Sequence, residues 1–391
     1  MKILNIFNHY LEPGGEAIAV DAICSSLSKI FEIERCDFSS VDWIGTEAPA
    51  QWKQALWMIR NPESVKKLRQ TQERFRSDVW LVHNVFPVGS GAVYSESRRQ
   101  GIPLIQYIHN FRPFSVSGYL WAGDRVAPGG LSKNFWQEIR TGAWRNSRMQ
   151  TIWMAFVLSL GHIDGWWRVP KTWIAISEFM RQKFILAGVP ADSIFTLRHF
   201  WRAQQTNSSG KQDHFLFLGR LTEAKGINVL LDAWERLEST LGDRAPKLII
   251  GGDGPSRSSV VSRVERMKSV IFYGPLDAAA KREALNNAIA VIAPSLSWEA
   301  FGLVVYEAYD HYLPALVARS GGLPELVVDS KTGFIHEPGN TAQLIEQVLA
   351  LHWQPALAAG MGRAGRLWLE ENANEADWQR NFSAILKRVV A

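Results

Sequence analysis

The chain has 391 residues, 47% hydrophobic and 21% charged, enough for two domains with full cores, which excludes a disordered segment or a small disulfide scaffold. Its two cysteines, Cys24 and Cys36, fit a reducing compartment. The net charge of +5 conceals an asymmetry: from Gln51 to Gln205 there are 21 Lys and Arg against 9 Asp and Glu, and 12 of the 17 Trp lie in the first half, a combination suited to an anionic membrane surface, an acidic acceptor or nucleic acid.

The opening MKILNIFNHY has one Lys and a short apolar run without a cleavage signal, so it reads as a first strand and the expected location is cytoplasmic. Three stretches follow in which cations and large apolar groups share helices: KQALWMIR, ESVKKLRQTQERFR and WQEIRTGAWRNSRMQTIWMAF. Such helices can lie on the inner face of the cytoplasmic membrane, or form a core helix with a solvated basic face, and both readings stand. TIWMAFVLSL, Thr151 to Leu160, falls short of the roughly 20 apolar residues that cross a bilayer. Strands are expected at KILNIF, VWLVHNVF, IPLIQYIHN and WIAIS, then at HFLFLG, PKLIIGG, VIFYG, AVIAPS and LPALVA, separated by helical periods. That alternation predicts an α/β protein with two doubly wound parallel sheets, with ligands at the carboxyl ends of strands. The polar run RAQQTNSSGKQDH predicts the division: an N-terminal domain over 1–203, a linker over 204–213 and a C-terminal domain over 214–374. Residues 375–391 place Trp378, Phe382, Ile385, Leu386 and Val389 at helical spacing, an amphipathic helix that packs on something, the N-terminal domain being one option.

Two stretches of the second half carry chemistry. In HFLFLGRLTEAKGINVLLDAW a strand, a Gly turn and an amphipathic helix bring Arg220 and Lys225 to a helix start, where a bidentate guanidinium, a point charge and the helix dipole favour a pyrophosphate. The bland alternative is two solvated surface cations. In APSLSWEAFGLVVYEAYDHYLPALVARSGGLPELV the amides of Phe301, Gly302 and Leu303 open a helix and can bind phosphate oxygens, while Glu299 and Glu307 can each accept from a vicinal diol. A glutamate near a helix start can also merely favour the dipole.

GRLTEAKG, then GGDGP, YGPLD, and Glu299 with seven residues to Glu307, resemble the donor domain of family 4 retaining glycosyltransferases over about 120 residues, from His214 to Gly333. In the first half LEPGGEAIAV, LVHNVFP, IQYIHNFRPF and WIAISEFMRQKFILAGVP resemble that family's acceptor domain. The resemblance implies the GT-B fold, two Rossmann-like domains facing across a cleft, and transfer of a sugar from a nucleoside diphosphate sugar, a uridine one favoured and GDP-mannose as the other option, to a glycan or lipid-linked hydroxyl. It implies that Arg220 and Lys225, after the Gly219 turn, hold the donor diphosphate and act as the principal electrostatic catalysts. Glu299 then contacts the transferred sugar, Glu307 the ribose, the Phe301 to Leu303 amides the phosphates and Leu276 the base. From the first domain, Gly14 and Gly15 let a helix approach the diphosphate, Glu16 faces the acceptor, and His109 is a hydrogen-bonding group near the sugar. Departures are Ala300, where the family has Gly, and the bulky run Tyr309, Asp310, His311 and Tyr312.

No pair of Asp two residues apart occurs, and the two Cys and scattered His have no zinc spacing, so no metal cofactor is expected. The alternatives in view are a nucleotide-sugar epimerase on the same fold and a noncatalytic sugar-nucleotide scaffold. A nucleic-acid partner has no recognisable module, and a dinucleotide oxidoreductase lacks its fingerprint, since GGDGP runs into Pro255.

Overall fold

The computed structural model describes residues 1–11, 14–204 and 212–390, and the chain divides into two compact units. The first comprises Met1–Gly123, Ala127–His199 and the chain from Glu375 onward; the second comprises Phe200–Asn374 with Asp124–Val126. This break falls before the boundary drawn at residue 203. Backbone bonding explains it: the Trp201 amide donates to the Ala373 carbonyl at 2.9 Å and the Gln204 amide to the Asp310 carboxylate at 3.1 Å, which ties 200–204 to the second unit. Of the predicted linker, residues 205–211 lie outside the described residues, as do Glu12 and Pro13 of the first Gly-rich loop.

The first unit is built on a six-stranded parallel sheet in the order Glu32–Ser39, Lys2–His9, Val79–Val82, Leu104–Ile108, Thr172–Ala175, Ile194–Thr196. Its inner strands are apolar on both faces, as a sheet covered by helices on each side requires: Ile3, Leu4, Ile6 and Phe7 are fully buried, as are Val79 to Val82. Helix starts are capped from the sequence. Asn61 accepts from the Glu63 amide ahead of Pro62 at the first helical position, and Ser147 and Ser177 cap the helices Arg148–Asp164 and Glu178–Leu186. Trp166 wedges against two glycines: a Cβ on Gly91 would come 2.2 Å from its ring and one on Gly161 2.5 Å, so neither position admits a side chain. The closing helix Glu375–Val390 buries Trp378, Phe382, Ile385, Leu386 and Val389 within this unit.

The second unit repeats the plan, in the order Val270–Gly274, Lys247–Gly251, His214–Leu218, Ala288–Ala293, Ala315–Ala318, Gly333–His336, all parallel. Helix Ile227–Leu241 lays Ile227, Leu230, Leu231, Trp234 and Leu237 on one face of the sheet, and Trp234 donates its indole N–H to the Pro246 carbonyl at 2.8 Å. The bulky run 309–312, a departure from the family pattern, is accounted for by packing. The Tyr309 hydroxyl bonds the Leu326 carbonyl and Thr332, Asp310 forms a 2.6 Å buried ion pair with Arg366, and His311 meets Asn286. The glycines of helix Pro355–Asn372 answer it, Gly365 seating the Tyr309 ring and Gly362 the Tyr312 carbonyl. Among the described residues no helix is long and apolar enough to cross a membrane.

Candidate functional site

At the carboxyl end of the second sheet the loops after three neighbouring strands are stitched together by backbone bonds. Gly219 donates to the Gly251 carbonyl at 3.1 Å, Leu221 to that of Asp253 at 2.9 Å, and Leu296 and Ser297 both to that of Ala224, at 2.9 and 3.0 Å. Gly226 is required where it stands: its φ is +73° and a Cβ would lie 2.0 Å from the Pro294 carbonyl oxygen. This stitching sets the turn Glu223–Lys225 beside the loop that carries Glu299.

Lys225 Nζ lies 2.6 Å from Glu299 Oε1, which also accepts from the Ser295 hydroxyl at 2.5 Å. The Glu299 side chain is 14% exposed, against 35% for Lys225. Its main-chain carbonyl is fixed by the Gly322 amide at 2.8 Å, and Gly321 leaves room for it. Helix Leu303–Asp310 starts after Gly302, whose φ of +124° only glycine adopts readily, so the Gly302 and Leu303 amides fall outside the helix's own ladder. Glu307, on that helix, pairs with Lys281 Nζ at 2.8 Å. Arg220 is exposed at the same end, and Leu276 packs beside Gly251.

The structure therefore brings Lys225 and Glu299 together as an ion pair, whereas the sequence reading assigned them separately to diphosphate and sugar. Lys281, Ser295 and Gly321 were missed, because no local motif announces a partner 26 residues from Glu307 or a hydroxyl four residues before Glu299.

The first unit has its own polar recess, lined by Glu16, His83, Asn84, Gln106, His109 and Arg112 among others. Helix Gly15–Leu27 opens after Gly14, whose backbone is extended and around which a Cβ would find open space. Glu16 in its first turn accepts from the Tyr10 hydroxyl at 3.1 Å and from Asn110 Nδ2 at 2.9 Å, while its other oxygen, Oε1, is sealed from solvent without a hydrogen bond. Burial lifts the carboxyl from its ordinary 4.5 to about 7, against the pull of its bonds to Tyr10 and Asn110, of Arg112 and of the Asn84 backbone.

His109 follows the strand Leu104–Ile108 and is 8% exposed. Its Nε2 lies 2.9 Å from His83 Nδ1, and His83 Nε2 lies 2.9 Å from Asn5 Oδ1. Tyr107 and His199 stack on the His109 ring at 4.9 and 5.5 Å. Burial drives His83 down to about 3 and His199 to about 4, and pushes His109 well below the usual imidazole range, with Arg35 and then His199 adding to the effect on His83, and His83 and His199 to that on His109. The cluster is uncharged at neutral pH. His83 and Asn5 were not singled out from sequence. Among the described residues no group of three or more His, Cys, Asp or Glu is placed to hold a metal.

Residues 201–368 match the family described as Glycosyl transferases group 1. The D-inositol 3-phosphate glycosyltransferase of Arthrobacter sp. (strain FB24) is 28% identical over 335 residues, covering 83% of this chain and 72% of that enzyme. A glycogen synthase of Mycobacterium tuberculosis is 31% identical over 179 residues, 45% of this chain, and the match spans less than half, 42%, of that enzyme's length. Among solved structures, Anabaena HepE in complex with UDP aligns with a TM-score of 0.67 at 16% identity, covering 99% of this chain and 100% of that one. Two parallel-sheet Rossmann-like units, the stitched loops at the carboxyl end of the second sheet and these matches agree: the chain has the GT-B fold, and its residues 201–368 match the glycosyl transferases group 1.

Proposed function

We propose that the chain is a retaining hexosyltransferase, which moves a sugar from a nucleoside diphosphate sugar to a hydroxyl of a glycan or lipid-linked acceptor during assembly of a cell-surface polysaccharide or glycolipid. The observation that carries the reading is the meeting of Lys225, Glu299 and the amides ahead of helix Leu303–Asp310, inside the stretch that matches the family. Uridine is the favoured base, supported by the UDP held in the HepE structure, with GDP-mannose second.

In this reading Arg220 and Lys225 neutralise the departing diphosphate. An ammonium has three donors, so Lys225 can keep Glu299 and still reach a phosphate oxygen. The Gly302 and Leu303 amides add the positive end of the helix dipole. Glu299 accepts from hydroxyls of the transferred sugar and Glu307 from the ribose diol, where it trades contact with Lys281. The departing phosphate oxygen takes the acceptor's proton on the same face of the sugar, which retains configuration without a protein nucleophile. These side chains and amides carry the charge without a metal ion, a reading supported by the lack of an Asp pair two residues apart. Glu16 and His109 are assigned to the acceptor side.

We also assign a peripheral membrane contact to the first unit. Trp52 and Leu56 on helix Gln51–Ile59, and Met149, Ile152 and Phe156 on helix Arg148–Asp164, are exposed, and the two helices pack together through Trp153, whose indole donates to the Ala55 carbonyl. Arg60, Arg69 and Arg99 are spoken for in part, since all three bind the buried Glu96.

The deciding experiment is a transfer assay with uridine, guanosine and adenosine diphosphate hexoses against glycan and lipid acceptors, with the anomeric configuration of the product read by NMR. Transfer with retention supports the reading. Inversion, or turnover of the donor to an isomer without any acceptor, overturns it, as does a mass-detectable glycosyl adduct in Glu299→Gln for the front-face route.

A further inference from the structure

We propose that Asn5 and His83 are positioning residues: they hold His109 with its proton on Nε2 and its Nδ1 bare, so that the first unit's recess accepts a hydrogen bond from a ligand hydroxyl. This rests on the reading of the recess as the place where a sugar or acceptor hydroxyl binds, and adds what decides which end of the imidazole meets it.

The direction follows from what each atom can do. Asn5 turns its Oδ1, not its amide nitrogen, toward His83, and a carbonyl oxygen only accepts. His83 Nε2 must therefore carry a hydrogen. A neutral imidazole has one ring N–H, so His83 Nδ1 is an acceptor, and its 2.9 Å neighbour, His109 Nε2, must donate. His109, neutral in its turn, is left with an unprotonated Nδ1. That atom is buried, has no hydrogen-bond partner, and belongs to a side chain that lines the recess. A bare acceptor sealed from water costs stability unless something answers it. The bare His109 acceptor calls for an O–H donor, and Arg112 Nε, a buried donor without a partner that lines the same recess, calls for an acceptor; a hydroxyl, as on a sugar or polyol, supplies both.

The relay is rigid because of where it sits. Asn5 is on the strand Lys2–His9, His83 directly follows Val79–Val82 and His109 directly follows Leu104–Ile108, three adjacent strands of one sheet. Asn5 and His83 are fully buried, and the flanking Tyr107 and His199 rings lie within 18° of parallel to His109. Asn5 does not line the recess. It and His83 act through His109.

The test uses the full chain with 15N-labelled histidine and long-range proton-nitrogen correlation spectra, in which the two neutral imidazole tautomers have distinct patterns; loss of one pattern in His109→Gln assigns it. The expected wild-type result is the Nε2–H form of His109 in at least about tenfold excess, the factor one well-placed hydrogen bond supplies. In Asn5→Leu, where nothing accepts from His83, the excess falls to about threefold or less. Asn5→Asp, which can only accept, keeps it. A wild-type His109 that carries its proton on Nδ1, or a ratio unmoved in Asn5→Leu, overturns the proposal, and the wild-type spectrum decides alone if a variant does not fold. In the transfer assay Asn5→Leu should lose about tenfold in kcat/KM and Asn5→Asp should recover it. A wild-type protein that transfers no sugar at all refutes the glycosyltransferase reading instead, and leaves the tautomer to be judged by the spectra.

Discussion

Lys225 and Glu299, separated by 74 residues, meet as a 2.6 Å ion pair at the carboxyl end of the second sheet. Backbone bonds from Leu296 and Ser297 to Ala224 join the two loops that carry it. In the proposed transfer, a pair held in this way spares reorganisation at the moment charge develops on the leaving group.

Removing the cations tests that role. Lys225→Ala and Arg220→Ala are each expected to lower kcat by about 100-fold in the transfer assay, the usual consequence of deleting one electrostatic group aimed at developing charge. Lys225→Ala also strands the Glu299 carboxylate and should melt lower than the wild type.

Gly321 tests the backbone beneath the pair. Its φ is +61° and a Cβ would lie 2.1 Å from the Glu299 carbonyl oxygen, so Gly321→Ala must displace the loop. The expectation is a loss of about 2 kcal/mol or more of stability together with most of the transfer activity. Gly188→Ala is the control: φ is +101° there but no atom lies within 4 Å, so it should cost about 1 kcal/mol and leave transfer unchanged.

Glu16 predicts a pH dependence. Its carboxyl ordinarily titrates near 4.5, the value for the unfolded chain, while burial raises the folded value to about 7. Between those limits the folded state binds the extra proton, so this group's contribution to stability is complete below the lower value and is lost as pH rises through the upper one. Glu16→Gln removes the titration. Its melting temperature relative to wild type should therefore climb as the pH is raised from 5 to 8. The depressed His83 and His199 give a slope of the opposite sign at acid pH, stability falling as pH drops below about 6.5, and the comparison of variant with wild type cancels it. A flat difference across that range refutes the assignment.

Flotation with vesicles tests the membrane contact. Anionic vesicles should recover more protein than neutral ones, and Trp52→Ser with Ile152→Ser should reduce recovery on both, since those side chains are 63% and 53% exposed and make no part of the core. Equal recovery from the two lipid types removes the electrostatic component.

Much of this was legible in the sequence, and the reason is periodicity. Buried strands such as FLF and AVIA announce themselves because both faces are apolar, and the last helix shows its five core residues at helical spacing. The edge strand Glu32–Ser39 did not, because its sequence EIERCDFS is charged and only two of its residues, Cys36 and Phe38, are buried. Site residues within two short motifs, Arg220 with Lys225 and Glu299 with Glu307, were visible as types in a pattern. Their partners were not. Lys281 and Ser295 are ordinary residues in ordinary elements, and Asn5, His83 and His109 join through three strands whose side-by-side order belongs to the folded sheet, not to spacing along the chain.

The return of the final helix to the first unit bears on how the protein can be taken apart. Lys29 binds Glu375 at 2.8 Å, Gln379 donates to the Ser26 carbonyl at 3.0 Å, and Arg388 lies 5.1 Å from the Phe195 ring centroid, all within one unit whose sequence is interrupted by the whole of the other. No contiguous fragment reproduces that unit. A gene cut after His199 makes a polypeptide lacking the ridge of Trp378, Phe382 and Leu386, and only a permuted gene, with 375–391 spliced to the front half, offers both pieces for independent expression.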